Sequence, residues 1–397
     1  MTGALSRAPE KAQARGTIPF TWSLLATHAV VWLFFADTRI LVSVTNAVEP
    51  YCWPYFELCS EWRPPIAFAT VLLMMYLVGG VFTGVAIGHG RERLAWWGLL
   101  LLNMFLAAVV SLDYRLRANE FYMLLWVNAA WLVSPRSRWL VPVTIISCYF
   151  WAGVLKLNRE WLSGAGLYSD LWMIPDHLVP VACAYVVVLE MVMIWGLLSK
   201  RTFIVAAVLT QLGLFHLESL SQIHWFYPLL MAMLLSWFVI ERVTAPASNR
   251  ASIGELVRGR APRLAYLLMA VFAVLQLARF AYRGDSVLTG QGRIFALHMF
   301  EARHDCEVTA IVNRTAESLH LKVSRLAPRM ICDPIVYFNR ARNLCRTRRK
   351  GDICFDFRLV MNAKRATDEK FTTVIDAQDF CEADYTYSII RNNPWMR

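Results

Sequence analysis

One lysine stands at the edge of an otherwise apolar run, Lys156 in "YFWAGVLKLNREWLSG" (Tyr149 to Gly164). An amine held in a poorly solvated pocket is penalised in its charged form, which suits it to general-base work near neutral pH. The competing reading is a residue that closes a span and sends its ammonium to the headgroups along an apolar stem. Further on, "FHLESLSQIHW" gathers His216, Glu218, Gln222 and His224. Ionisable groups at membrane depth usually face a cavity or the bundle interior, although a hydrogen-bonded interfacial histidine is an ordinary alternative. Glu190 in "VVVLEMVMIW" is a third intramembrane charge, either part of a site or the partner of a basic group on a neighbouring helix.

The elements that must carry these residues are membrane spans. The 397 residues are 57% hydrophobic and 17% charged, with 16 Trp and 22 Phe, which is far more apolar than an ordinary soluble domain. Runs near the length of a span lie at 20–41, 66–87, 94–112, 121–133, 140–155, 179–198, 202–217, 225–240 and 264–280, the fourth being short. Arg7, Lys11 and Arg15 put the N-terminus inside. The inner loops then hold Arg91 and Arg93, Arg136 and Arg138, Lys200 and Arg201, and the basic stretch from Arg242 to Arg263. Parity and charge agree on about nine transmembrane helices, with Lys156 and His216 at the same, outer depth. The first apolar run has no small-x-small cleavage site and reads as a retained signal anchor. The net charge of +11 sits in clusters between spans, which is an orientation signal and excludes a nucleic-acid patch.

From about residue 283 the pattern changes to period-two segments, "CEVTAIV", "SLHLKVSRL", "DICFDFRLVMNA" and "KFTTVIDA", typical of half-buried strands. The expected organisation is a cytoplasmic tail (1–18), an all-α polytopic membrane domain (19–282) and a small extracytoplasmic β-rich domain (283–397). Seven of the nine cysteines fall on the outer side: Cys52, Cys59, Cys306, Cys332, Cys345, Cys354 and Cys381. An oxidising compartment and disulfides follow, with one thiol left over and the pairing open. "RHDC" (Arg303 to Cys306) lacks a second half at ligand spacing, so a disulfide cysteine outweighs a metal site there. No phosphate-binding glycine loop, serine elbow or zincin helix occurs. "NRT" at Asn313 matches a glycosylation sequon, a pattern too short to carry weight.

The Lys156 stretch resembles the segment of vitamin K-dependent gamma-glutamyl carboxylases that reads approximately Y-F-x-A-G-x-K-K-L-D-x-D-W-x-x-G, with Lys156 on the second lysine, the family's catalytic base. "LFHLESLSQIHWFYPLLM" looks like the family's F-H-x-x-N segment and places His216 on its histidine. More loosely, "GQGRIFALHMFEARHDCEVTAIV" and "GDICFDFRLVMNAKR" look like strands of the carboxylase's luminal domain. The wider group is the HTTM (horizontally transferred transmembrane) family, common in bacteria. The resemblance implies a catalytic Lys156 and His216, with Trp151, Trp161, Glu218 and His224 around a reduced vitamin K or menaquinol-like hydroquinone. It also implies oxygen and carbon dioxide as co-reactants, no metal, and a multi-pass protein of a bacterial inner or plasma membrane. Its partners would be membrane lipid and a secreted peptide or protein carboxylated on glutamate.

The sequence departs from that pattern at Leu155, where the first lysine would be, at Asn158 for aspartate, at Ser219 for asparagine and at Glu120 for histidine. Two readings follow. One is a carboxylase-like enzyme that forms a carbon–carbon bond; the other is a non-carboxylating maturation or export factor for a secreted peptide. No inverted repeat or pair of interrupted spans marks a transporter.

Overall fold

The computed structural model describes residues 7–45, 51–56, 65–246, 248, 250–292, 294–297, 304–313, 317–321, 330–349, 355–383 and 385–397. The apolar runs become helices because a backbone in lipid must satisfy its own hydrogen bonds. In chain order they are α1 (Arg7–Thr38), α2 (Ile40–Thr45), α3 (Ala67–Gly88), α4 (Glu92–Leu112), α5 (Asn119–Val133) and α6 (Leu140–Leu155). Then come α7 (Arg159–Leu162), α8 (Val179–Met191), α9 (Thr202–Glu218), α10 (Phe226–Thr244), α11 (Ile253–Val257) and α12 (Arg263–Leu277).

Seven described segments are long and apolar enough to cross a membrane: Ile18–Thr38, Ala67–Gly88, Glu92–Leu112, Asp176–Leu198, Thr202–Ser221, Phe226–Thr244 and Arg263–Ala281. The other two expected spans form shorter helices, α5 with 15 residues and α6 with 16. At 1.5 Å per residue these reach about 22–24 Å, short of a hydrocarbon core of about 30 Å. Most of their residues are enclosed by protein. Of α6, Leu140–Tyr149, Ala152, Gly153 and Leu155 are buried, whereas α3 leaves Val78, Val81 and Val85 more than half exposed, a face suited to lipid. A helix surrounded by other helices has no lipid thickness to match. Because α5 and α6 are consecutive, seven or nine crossings leave the two ends of the chain in the same relation.

The C-terminal region adds α13 (Ser286–Thr289), β1 (His304–Val312), β2 (Ser318–His320), α14 (Pro334–Arg349), β3 (Phe357–Arg365) and β4 (Thr372–Ala377). The strands form one antiparallel sheet in the order β2-β1-β3-β4, with His304 opposite Arg365 and Val312 opposite Phe357. Alternation in β3 turns Phe357, Leu359, Met361 and Ala363 into the core. Helix α14 corrects the picture of a domain built of strands. Asp333 accepts from the Ile335 amide at 2.9 Å and Pro334 opens the first turn, an ordinary helix start. Phe338 then stacks on Trp395, centroids 5.0 Å apart, and meets Phe380 edge-on.

Among the described residues two disulfides close this domain, Cys306–Cys332 and Cys345–Cys381. Cys52 is also disulfide-bonded, to a partner outside the described residues, which exclude Cys59 and Cys354. Cys148 and Cys183 are free and buried. His304 of the "RHDC" cluster bonds the Cys332 carbonyl at 3.0 Å, and Asn313 donates to Asp379 at 2.7 Å.

The domain is seated on one end of the bundle by specific bonds. Asn339 exchanges hydrogen bonds with the Cys52 backbone at 3.0 Å in both directions, and the Tyr114 hydroxyl donates to Asp333 at 2.9 Å. Arg117 donates to the carbonyls of Ile294 and Ala296. Thr367, in the β3–β4 turn, donates to Glu160 of α7 at 2.7 Å.

Candidate functional site

Lys156 is the residue at which α6 ends, and the local sequence explains the reversal that follows. Asn158 caps α7, accepting from the Trp161 amide at 2.8 Å, while its own amide donates to the Leu155 carbonyl at 2.7 Å. An aspartate could make the first bond and not the second, so asparagine at this position ties the end of one helix to the start of the next. The short α7 turn brings the Trp161 ring to 4.9 Å from Lys156 Nζ, with the indole N–H held by the Cys183 carbonyl at 2.9 Å. Phe215 of α9 supplies a second ring, 5.0 Å from Nζ.

Lys156 does not snorkel. Its side chain is 2% exposed, and Nζ donates to both carboxylate oxygens of Glu190 at 2.5 Å, that carboxylate being 1% exposed. The intramembrane acid of α8 is therefore the partner of the lysine at the end of α6. Gly153 makes the approach possible: a Cβ there would stand 2.7 Å from Met191 Cγ and 3.0 Å from Glu190 Cβ. Close backbone contact at a small residue is the usual device for bringing membrane helices together.

Lys156, with Glu190 behind it, forms part of the wall of a cavity of about 340 Å³, lined by α7, α8, α9, the loop of residues 167–174 and the start of α10. Its surface is mostly apolar, with Tyr185, Leu189, Leu214, Phe215 and Ile223 in the wall and Lys156, Asn119, Gln211, Glu218 and Tyr227 as polar points. This is the composition of a small-ligand pocket: an apolar body with a few placed polar groups. Glu218 and Gln222 close one side by holding the loop. Glu218 accepts from the amides of Trp172 at 2.5 Å and Met173 at 3.1 Å, and Gln222 accepts from Tyr168 at 2.9 Å and donates to the Ser169 carbonyl at 2.6 Å.

His216 lies behind this wall. It is buried, and its Nε2 shares a 2.6 Å hydrogen bond with the Tyr149 hydroxyl, while Nδ1 has no partner among the described residues. Trp151 and His224 are not in the wall. His224 is half exposed, 3.8 Å from Asp37 and edge-on to Phe34. Of the residues singled out in the sequence, the structure brings Lys156, Trp161, Glu218 and Gln222 to the cavity wall, sets Glu190 behind Lys156 as its partner and His216 one layer back, and leaves Trp151 and His224 apart.

Sequence reasoning missed Tyr149, Tyr227 and Glu160. Tyr149 belongs to the stretch already quoted and lies two turns before Lys156, a spacing that puts both on one helix face. Glu160 is 1% exposed and links the site to the β domain through Thr367; Arg365 stands 3.6 Å away and pairs with Asp285 at 2.6 Å. No group of three or more metal-ligating side chains occurs among the described residues. Comparison with protein-family models, curated proteins and solved structures finds no match to this chain.

Proposed function

We propose that this cavity takes a lipid-soluble hydroxylated ring, of which a reduced naphthoquinone is the type, and that Lys156 is the group that handles its proton. The observation that carries this reading is a buried lysine in the wall of an apolar cavity, paired with a buried glutamate behind it and flanked by two aromatic rings. The donor set suits such a ring: aromatic and aliphatic faces for its body, and Lys156, Tyr227 and Asn119 for hydroxyl or carbonyl oxygens. A hydroquinone would supply, with oxygen, the base strength needed to remove a glutamate γ-proton so that carbon dioxide can add.

The chain's part is proton handling and exclusion of water. Lys156 becomes a base when its proton passes from Nζ to a Glu190 oxygen 2.5 Å away; Nζ then accepts a proton from an acidic hydroxyl at the wall. The Trp161 and Phe215 rings keep water from the amine. A secreted peptide or protein substrate reaches the site from the side of the β domain, which the charge of the loops sets outside, in a nine-span arrangement of a bacterial membrane.

The bidentate geometry also favours a second reading. While both Glu190 oxygens hold the ammonium, Lys156 has no lone pair to offer, and the cavity serves as a binding site in a non-carboxylating maturation or export factor. One assay separates the two. Membranes given reduced naphthoquinone, a glutamyl peptide and labelled bicarbonate are expected to fix label, and Lys156→Ala abolishes it. A Lys156→Met/Glu190→Gln protein that melts like the parent controls for folding. Undiminished label in the folded double variant removes Lys156 as the base; no label in the parent, with naphthoquinone bound, leaves the binding reading.

A further inference from the structure

The bundle contains a second cavity of about 340 Å³ at its other end. It lies where α3 ends, α4 begins and α5 ends, a helix length of about 30 Å from the Tyr114 and Arg117 contacts that seat the β domain. Its wall is of two kinds. Ile18, Ile87 and Val133 give an apolar side, and Val133 is 66% exposed, as a residue facing lipid would be. Arg93 and Arg136 give a basic side, both exposed and neither side chain bonded to another described residue, with Glu92 as the one acid among the described wall residues.

Trp131 also belongs to this wall, and its indole N–H is buried without a partner among the described residues. A buried unpaired donor is expensive, so such a group is seldom left without something to bond. Its neighbour Trp96 shows the contrast, donating to the Leu132 carbonyl at 3.0 Å.

We infer that this cavity binds an anionic phospholipid, the headgroup phosphate between Arg93 and Arg136 and one acyl chain along Ile18, Ile87 and Val133. The two arginines against one glutamate leave a net positive charge for a phosphate, and the apolar side excludes a free anion as the full occupant. The orphaned indole N–H supplies a donor for a headgroup or ester oxygen. The site is separate from the Lys156 cavity and stands or falls independently of it.

The test uses the full-length protein in a neutral maltoside, melted in the presence of phosphatidylglycerol, phosphatidylcholine or inorganic phosphate. Phosphatidylglycerol is expected to raise the melting temperature, and the other two are not. Arg93→Gln/Arg136→Gln weakens the lipid effect about thirtyfold, on the scale of a surface basic residue's attraction to anionic lipid. Trp131→Phe weakens it about fivefold, read as the shift that lipid adds to that variant's own lipid-free melt. Equal stabilisation by phosphatidylcholine, by phosphate, or of the double variant overturns the assignment. Should the double variant fail to fold, a photoreactive phosphatidylglycerol on the parent protein decides: adducts within residues 87–96 and 131–136 support the site, and adducts confined elsewhere overturn it.

Discussion

Two ion pairs in this molecule are built from similar groups and stand in opposite surroundings. Lys156 and Glu190 meet in the bundle at 2% and 1% exposure, whereas in the β domain Asp376, 6% exposed, is shared by Arg358, 41% exposed, and Arg397, 63% exposed. Neither member of the first pair has water to fall back on; in the second, both arginines keep contact with solvent, and either can stand in for the other on the carboxylate. A charge kept where desolvation is expensive is a stronger pointer to function than one kept where it is cheap, because structural needs alone are met more simply by an apolar pair. Position in the fold, more than residue type, separates the candidate site from the surrounding polar contacts.

The largest expected effect comes from halving the buried pair. Glu190→Gln or Lys156→Met alone leaves an uncompensated charge and costs about 3–5 kcal/mol, while the double variant recovers most of that loss. Thermal unfolding of the three proteins in detergent measures it. If the single and double variants melt together, the pair is not coupled as described. Arg358→Gln in the β-domain pair is expected to give a far smaller change that high salt erases.

Gly153→Ala tests the contact that brings α8 against α6. The added methyl meets Met191 and Glu190, so a loss of about 1–3 kcal/mol is expected together with loss of ligand binding, since the helices part where the pair forms. Gly213→Ala, where a Cβ has open space, is the control and should be neutral or slightly stabilising.

The smallest effect is a pH dependence of the β domain. The hydrogen bond from Arg358, backed by the charge of Arg397, holds the Asp376 carboxyl below the usual carboxylate range. A carboxylate depressed on folding adds stability that is fully present above its unfolded value of about 3.9 and disappears as pH falls through the folded value. The Asp376→Asn protein should therefore differ from the parent at pH 7 and converge with it below about pH 4. A constant difference across that range would assign the effect to packing.

Much of this architecture was legible from pattern. Unbroken apolar runs marked the helices, and period-two alternation marked β1, β3 and β4, because both report which face is withdrawn from water. The shortness of α5 was visible, but its enclosure was not, since hydropathy is the same for a helix in lipid and one in protein. Helix α14 escaped because "NRARNLCRTRR" is polar, although Asp333-Pro334 before it was a start signal.

At the site, Lys156 and Glu190 were each visible as charges out of place. Their pairing was not, because it depends on how α6 and α8 approach at Gly153. Glu218 stood out as a polar residue near a span end, yet its bonds go to the Trp172 and Met173 amides, a loop-holding role that residue type cannot reveal. His224 stood out for the same reason and faces Asp37 at the surface.

The most direct test of the central claim, that the Lys156 cavity is the ligand site, is photolabelling of membranes with a photoreactive prenylated naphthoquinone, followed by peptide mapping. Adducts are expected within residues 156–189 and 211–227, competed by reduced naphthoquinone and lost in Ala182→Phe, which fills the cavity from its wall. Adducts elsewhere in the chain, or labelling undiminished in a folded Ala182→Phe protein, would contradict it.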